Sequence, residues 1–209
     1  MSKIAAVEVI PVAAPGQATN DLDGTVDAVI VRISDEEGRY GIGETDAPPA
    51  VVKAFIEMPT AHLWSRSATE ILIGADPVET AGLWQKVYEG TFWPGRRGLG
   101  IHALSAIDIA LHDLAGKQLG LPAYKLMGGA RRDKLRPYCT IFPGLAHGRS
   151  AAELMREIGR QFDAALATGF RAVKMEVLFY DLVDDAEIVG LIRIFSGLRH
   201  RVERSRRGA

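Results

Sequence analysis

The chain has 209 residues, 47% of them apolar, which is enough for one large domain or two modest ones with a sizeable core. Its net charge of −1 argues against nucleic acid or a membrane surface as the main partner of the folded part. The single cysteine excludes an intrachain disulfide framework, and the N-terminal segment lacks a signal-peptide pattern, so a cytoplasmic location is the simple interpretation.

The first part of the chain predicts an antiparallel meander. Three segments rich in Val and Ile predict strands, at 3–12, 26–33 and 39–44. A polar turn that ends in Gly38 predicts a hairpin between the second and the third strand. Gly41 and Gly43 follow that turn and open no helix, so they indicate a requirement of backbone geometry rather than a phosphate-binding loop.

Helices follow the meander. Asp76 and Pro77 predict a helix start that leads to a helix ending before Gly90. Apolar residues at three- and four-residue spacing predict a long helix over 99–119, which Gly120 ends. Strands followed by helices are typical of an α+β domain.

Trp64 and Trp93 are predicted to lie in the core or in a pocket wall. Asp108 and His112, four residues apart on the long helix, favour helix-packing or interdomain hydrogen bonds over metal binding.

After Gly129 the pattern changes to alternating strands and helices. The segments 135–142 and 171–178 predict strands. A capping box at Ser150 and Glu153 predicts a helix that runs to Thr168, and Asp184 with Glu187 predicts the start of another. Short connections between these elements imply parallel strands with crossover helices.

Two opposite charges interrupt the apolar strand 171–178. Parallel strands of this kind are buried on both faces and should be almost wholly apolar. Lys174 and Glu176, two residues apart, point the same way near the carboxyl end of the strand, where α/β barrels carry their chemistry. The pair therefore marks a candidate functional position, with a barrel-interior ion pair of no catalytic role as the structural alternative.

Three segments carry a resemblance to a known family. "SAIDIALHDLAGKQLGLPAYKLMGGARRDKLRPYCT" (105–140), "GIGE" (41–44) and "GFRAVKMEV" (169–177) resemble the mandelate racemase/muconate lactonizing enzyme branch of the enolase superfamily. The resemblance implies an α+β capping domain over 1–129 and the start of a (β/α)-barrel over 130–195. The Arg-rich composition of 196–209, with few apolar residues, predicts a basic, disordered or out-of-frame tail of a truncated or frameshifted product. It also implies that loops near 14–24 and 46–60 shape the substrate pocket, which makes Thr19 and Asn20 candidate substrate-binding residues.

The resemblance implies removal of a proton α to a carboxylate, with the enolate held by Mg²⁺. The family motif on the second barrel strand is Lys-x-Lys, in which the first lysine lies against the substrate carboxylate and the second is the base. Lys174 matches the first lysine and is assigned to substrate binding and catalysis, whereas Glu176 replaces the second. A carboxylate there would pair with Lys174 and keep it charged. This departure favours an acid-sugar or hydroxy-acid dehydratase over a racemase or cycloisomerase, with Glu176 as a candidate proton-transfer residue.

The barrel predicted here is incomplete. A full (β/α)₈ barrel takes about 250 residues, whereas residues 130–209 hold two strand–helix units, and the family's three acidic Mg²⁺ ligands have no positions in the chain. We expect this chain alone to be inactive, although the complete enzyme would take a small carboxylate substrate. The alternative is a catalytically dead capping-domain fragment or interaction module. An open sheet edge predicts a possible homo-oligomer, and an apolar interior face comprising Val173, Met175 and Val177 is expected to stay uncovered.

Overall fold

The computed structural model describes residues 1–13, 27–142, 144 and 148–175. The chain forms one compact unit over Met1–Arg131, and a second unit begins at Arg132. The first unit contains eight elements: β1 (Ile4–Ala13), β2 (Asp27–Asp35), β3 (Tyr40–Thr45), α1 (Pro49–Glu57), α2 (Ala68–Leu72), α3 (Thr80–Gly90), α4 (Leu99–Leu119) and α5 (Ala123–Leu126). The described part of the second unit contains β4 (Cys139–Ile141), α6 (Ala151–Ala167) and β5 (Val173–Met175).

The first three strands form the predicted antiparallel meander, in the order β1-β2-β3. Gly38, in the turn between β2 and β3, has a φ of 81°, a backbone conformation that glycine adopts without a steric penalty. One face of the sheet is covered by helices and holds side chains with no exposed surface, namely Val29, Val31 and Ile33. The predicted hairpin and the predicted strand order are confirmed.

The long helix α4 packs directly on β3. Its buried residues recur at three- and four-residue spacing, as predicted from the sequence, and include Leu104, Ile107, Leu111 and Leu114. The helix ends where expected, because Gly120 adopts a left-handed conformation and its backbone N–H donates to the carbonyl of Gly116. Helix and strand lie so close that Gly41 and Gly43 have no room for a Cβ atom. The two glycines thus serve backbone packing.

Two predictions in the first unit were wrong. Residues 46–60 were assigned to a loop, but α1 occupies most of this segment and buries Val52, Phe55 and Ile56. The helix predicted to start at Asp76 begins at Thr80 instead. The Asp76 carboxylate accepts a hydrogen bond from the backbone of Val78 at 3.1 Å, so it closes a local turn before the helix.

The described part of the second unit is a parallel β–α–β arrangement. β4 pairs with β5 in parallel register, and Ser150 with Glu153 forms the predicted capping box of α6. β4 is shorter than the predicted strand 135–142, because Pro137 has no N–H to donate and Leu135 remains 86% exposed. The helix predicted from Asp184 lies outside the described residues.

The predicted fold class, an antiparallel meander with helices followed by parallel strand–helix units, is confirmed by these elements. Within the part of the chain that the structure describes, no helix has both the length and the apolar character needed to cross a membrane.

Candidate functional site

Lys174 lies in the middle of β5, beside Thr140 of β4 in the parallel register. Successive side chains of a strand point to opposite faces. The two neighbours of Lys174, Val173 and Met175, pack on the side of α6, in a cluster that also contains Cys139, Ile141, Leu154, Ile158 and Phe162. Lys174 itself is exposed and Thr140 is half-buried. The two polar residues therefore share the face that α6 leaves open.

This arrangement corrects one expectation. Val173 and Met175 were predicted to line an uncovered interior face, but they pack with the apolar residues of α6. The reason is the two-residue period of a strand, since Lys174 and its immediate neighbours cannot occupy the same face. Val177, the third residue of that prediction, lies outside the described residues.

The open face is the one that a (β/α)-barrel turns inward, because barrel helices cover the outside of the sheet. A lysine on that face carries a compact ammonium group with three donors and no acceptor. Such a group suits a carboxylate or a developing enolate oxygen, and it brings the charge needed to hold either one. The described geometry thus provides one cationic position on the face where barrel chemistry is found.

The other predicted site residues are not brought to this position by the described structure. Glu176 lies one residue beyond the described end of β5, and Thr19 and Asn20 lie in the segment 14–26, so all three are outside the described residues. Within the described ranges, no group of three or more His, Cys, Asp or Glu side chains is placed to hold a metal ion. The described residues therefore do not supply a Mg²⁺ ligand set, and we assign no reaction step to the ion.

Asp108 and His112 of α4 serve the helix itself. The Nδ1 atom of His112 lies 2.9 Å from the backbone carbonyl oxygen of Asp108 and 3.5 Å from its carboxylate. A carbonyl only accepts, so Nδ1 carries the hydrogen in this bond. The pair fits the hydrogen bonding within a packed helix that the sequence favoured over metal binding.

A buried carboxylate, that of Asp35, stabilises the hairpin turn. Its side chain has no exposed surface and accepts hydrogen bonds from Arg39 Nε and Gln118 Nε2, both at 2.8 Å. Burial by itself raises the pKa of Asp35, but the hydrogen bonds from Arg39 and Gln118 outweigh burial and hold the pKa below its ordinary value. The Asp35 carboxylate therefore has a structural role in the hairpin turn of the meander.

Sequence reasoning assigned Trp64 and Trp93 to the core or to a pocket wall. The structure leaves them 54% and 62% exposed, so the core assignment was wrong. Their rings stack at 6.2 Å, and the ring of His62 meets Trp93 edge-on at 4.8 Å. The two tryptophan rings are therefore packed against each other and against His62 at the surface, and not in the interior.

Comparison with known proteins identifies one family by sequence profile and by individual relatives. The sequence profile described as "Mandelate racemase / muconate lactonizing enzyme, N-terminal domain" matches residues 1–128. The chain is 32% identical over 149 residues to D-mannonate dehydratase from Novosphingobium aromaticivorans, covering 71% of this chain and 33% of that protein. It is 31% identical over 185 residues to 3,6-anhydro-alpha-L-galactonate cycloisomerase from Streptomyces coelicolor, covering 86% of this chain and 47% of that protein. The chain thus spans between a third and a half of these two relatives.

Solved structures agree in fold. The 3,6-anhydro-D-galactonate cycloisomerase from Zobellia galactanivorans superposes with a TM-score of 0.64 at 32% identity, over 84% of this chain and 43% of that one. A mandelate racemase/muconate lactonizing protein from Paracoccus denitrificans PD1222, complexed with magnesium, gives a TM-score of 0.65 at 32% identity, over 84% of this chain and 42% of that one. In both cases the match covers less than half of the solved structure.

Proposed function

The chain belongs to the mandelate racemase/muconate lactonizing enzyme family of the enolase superfamily, and from that premise we propose that it carries the capping domain and the first barrel strands of an acid-sugar dehydratase. The reaction begins with removal of a proton α to the substrate carboxylate and ends with loss of water from the neighbouring carbon. Relatives that carry the names of such enzymes include D-mannonate dehydratase and L-rhamnonate dehydratase.

The placement of Lys174 is the observation that carries this proposal. The residue stands on the face of β5 opposite α6, next to Thr140 of the adjacent parallel strand. An ammonium group on that face attracts a substrate carboxylate and opposes the negative charge that develops when the α proton leaves. In this role Lys174 binds and polarises the substrate while it remains charged.

The residue that removes the α proton is distinct from the lysine that binds the substrate carboxylate. Glu176 follows Lys174 by two residues, a spacing that puts a strand residue on the same face. We propose that Glu176 acts mainly as a negative partner that keeps the lysine protonated, with proton transfer assigned to another residue of the complete enzyme. Because lysine is not the residue at position 176, a racemase that uses a lysine base there is disfavoured.

Magnesium is expected in the complete enzyme, as in the Paracoccus denitrificans protein that is complexed with this ion. The ion would supply charge stabilisation for the enolate, and its ligands are expected from barrel strands other than β4 and β5. Substrate contacts from Thr19 and Asn20 are part of the same proposal. A cycloisomerase is the second candidate, because two of the relatives that cover much of the chain bear that name.

The two candidates are separated by two chimeric enzymes that differ in the added barrel, because the base and the Mg²⁺ ligands come from that barrel. Residues 1–178 of this chain are joined in one chimera to the remaining barrel of the Novosphingobium D-mannonate dehydratase and in the other to that of the Streptomyces coelicolor cycloisomerase. Each purified chimera is incubated with Mg²⁺ and a panel of D-mannonate, D-galactonate, L-rhamnonate, 3,6-anhydro-L-galactonate and D-galactarolactone. Semicarbazide detects 2-keto acids, and proton NMR identifies each product.

We expect the chimera with the dehydratase barrel to release a 3-deoxy-2-keto acid from at least one sugar acid, and the chimera with the cycloisomerase barrel to leave the anhydro sugar and the lactone unchanged. The unmodified 209-residue chain, assayed in parallel, is expected to be inactive. If both chimeras fold and only the one with the cycloisomerase barrel is active, the dehydratase assignment is contradicted in favour of the cycloisomerase. Two folded chimeras that exchange no α proton in D₂O with any substrate contradict both.

A further inference from the structure

A groove of about 740 Å³ lies in the second unit, away from Lys174. It is lined by the irregular segment before β4 and by the turn between α6 and β5. Its lining residues are Arg132, Lys134, Leu135, Arg136, Pro137, Gly169, Phe170 and Arg171. The volume falls within the range of small-molecule sites, which is about 300–1,000 Å³.

Four cations line this groove, and no carboxylate is among its lining residues. Asp133 is the one acidic residue in the segment 131–137, and it is exposed. Within the part of the chain that the structure describes, none of the four cations forms an ion pair. Four cations that share one concave surface repel each other, and the fold gains nothing from that repulsion. An anionic ligand would remove it.

The groove also has an apolar part. Leu135 is 86% exposed, and Pro137 and the half-buried Phe170 complete this part of the lining. Arginine is suited to such a place because its planar guanidinium is weakly hydrated and binds phosphate oxygens in pairs. The combination of several arginines with apolar side chains fits an organic anion that bears more than one phosphate charge.

The groove lies at the opposite strand ends from barrel chemistry. Arg132–Pro137 precede β4 and Gly169–Arg171 precede β5, so the lining belongs to the amino-terminal edge of two parallel strands. In (β/α)-barrels the reaction takes place at the carboxyl-terminal edge. A ligand in the groove is therefore separate from the substrate that we assign to Lys174.

We propose that this groove is a second binding site, for a small molecule that carries two or more phosphate charges. Arg136 and Arg171 approach the ligand from two different segments, the one before β4 and the one before β5. Binding would tie these two segments together. The proposal is independent of the dehydratase assignment, because it uses none of the residues on the face of Lys174.

The test is calorimetric titration of the full 209-residue chain with sodium tripolyphosphate, orthophosphate and citrate at matched ionic strength. We expect tripolyphosphate to bind with one-to-one stoichiometry and at least tenfold more tightly than orthophosphate or citrate. The double variant Arg136→Gln/Arg171→Gln should weaken tripolyphosphate binding by tenfold or more. The control variant Lys86→Gln/Arg156→Gln removes the same charge from exposed helix positions outside the groove and should change binding by less than twofold.

Equal weakening in both double variants would show that net charge alone attracts the anion and would overturn the proposal, as would absence of binding to the unmodified chain. A readout that needs no variant is tryptic cleavage after Lys134, followed by mass spectrometry. Tripolyphosphate should slow this cleavage at least fivefold relative to cleavage after Lys86 in the same sample. Unchanged relative rates would contradict occupation of the groove.

Discussion

A Cβ atom added to Gly43 would overlap the backbone carbonyl oxygen of Ala106, so β3 and α4 approach to a distance that only glycine permits. Gly41 stands in the same relation to Ala110, one helical turn further along α4. The two contacts fix how the long helix lies on the meander. They also explain why a strand whose other positions favour β-structure contains two glycines.

Substitution of Gly43 by alanine should destabilise the first unit. The added methyl group forces helix and strand apart, and overpacking of this kind costs about 1–3 kcal/mol. Urea unfolding followed by circular dichroism gives the free energy of unfolding. The matched control is Gly82→Ala in α3, where no atom lies within 4 Å of the added Cβ. There the better helix propensity of alanine should raise stability by about 0.5–1 kcal/mol. Equal effects of the two substitutions would contradict the close approach.

Asp35→Asn should lower stability at neutral pH by about 2 kcal/mol, because it removes hydrogen bonds to a buried charge. The pKa of Asp35 is lowered in the folded chain, so its contribution is present above the ordinary value of 3.8 and is lost as pH falls through the folded pKa. The difference between the original chain and the variant, measured by urea unfolding, should therefore shrink as the pH is lowered below that ordinary value.

Glu37→Gln is the control for this experiment, because Glu37 belongs to the same turn and its side chain is 61% exposed. Its effect should stay within about 0.5 kcal/mol at neutral pH. A loss for Asp35→Asn that stays constant into acid would show that packing, and not the charge, accounts for the effect.

Ser150→Ala should loosen the beginning of α6. The hydroxyl of Ser150 accepts from the backbone of Glu153 at 3.3 Å, and the Glu153 carboxylate accepts from the backbone of Ser150 at 2.7 Å. Loss of such a cap costs about 1 kcal/mol. Amide hydrogen exchange in the first turn of α6 should quicken about fivefold, the factor equivalent to that energy. Ser150→Asp, which retains a capping oxygen, is the control and should leave the exchange rates nearly unchanged. Equally faster exchange in both variants would contradict the role of the cap.

Limited proteolysis tests whether the first unit is self-sufficient. The core of this unit is closed by α1, α3 and α4 packed on the meander. We expect a resistant fragment that ends between residues 125 and 135, with early cleavage after Phe195. A resistant monomer that extends intact to Phe195 would contradict this expectation.

Strong periodic signals made most of the fold predictable from the sequence. The 3.6-residue period predicted the extent of α4, and Gly120 predicted its end. The polar turn before β3 predicted the hairpin. Helix α1 was missed because two prolines precede a short apolar run that has no polar capping residue. β4 was predicted too long, because the predicted strand included Pro137, which has no N–H to donate to a neighbouring strand.

The candidate site was predictable only in part. The motif located Lys174. The face of Val173 and Met175 was predicted wrongly, because strand alternation puts them on the face opposite to Lys174, where α6 packs. Trp64 and Trp93 were predicted to lie in the core or in a pocket wall, and their exposure excludes the core, since mutual stacking holds them at the surface. The basic groove is not predictable from the sequence, because its cations come from two segments more than thirty residues apart.

The most direct test of the account compares two substitutions in the chimera with the dehydratase barrel, by measuring kcat/KM for the sugar acid that it dehydrates. If Lys174 holds the substrate carboxylate and the developing enolate, Lys174→Ala should lower kcat/KM by about 100-fold or more, and Glu176→Gln should lower it by much less. The opposite ranking, with Glu176→Gln the more damaging substitution, would contradict the account and identify Glu176 as the base.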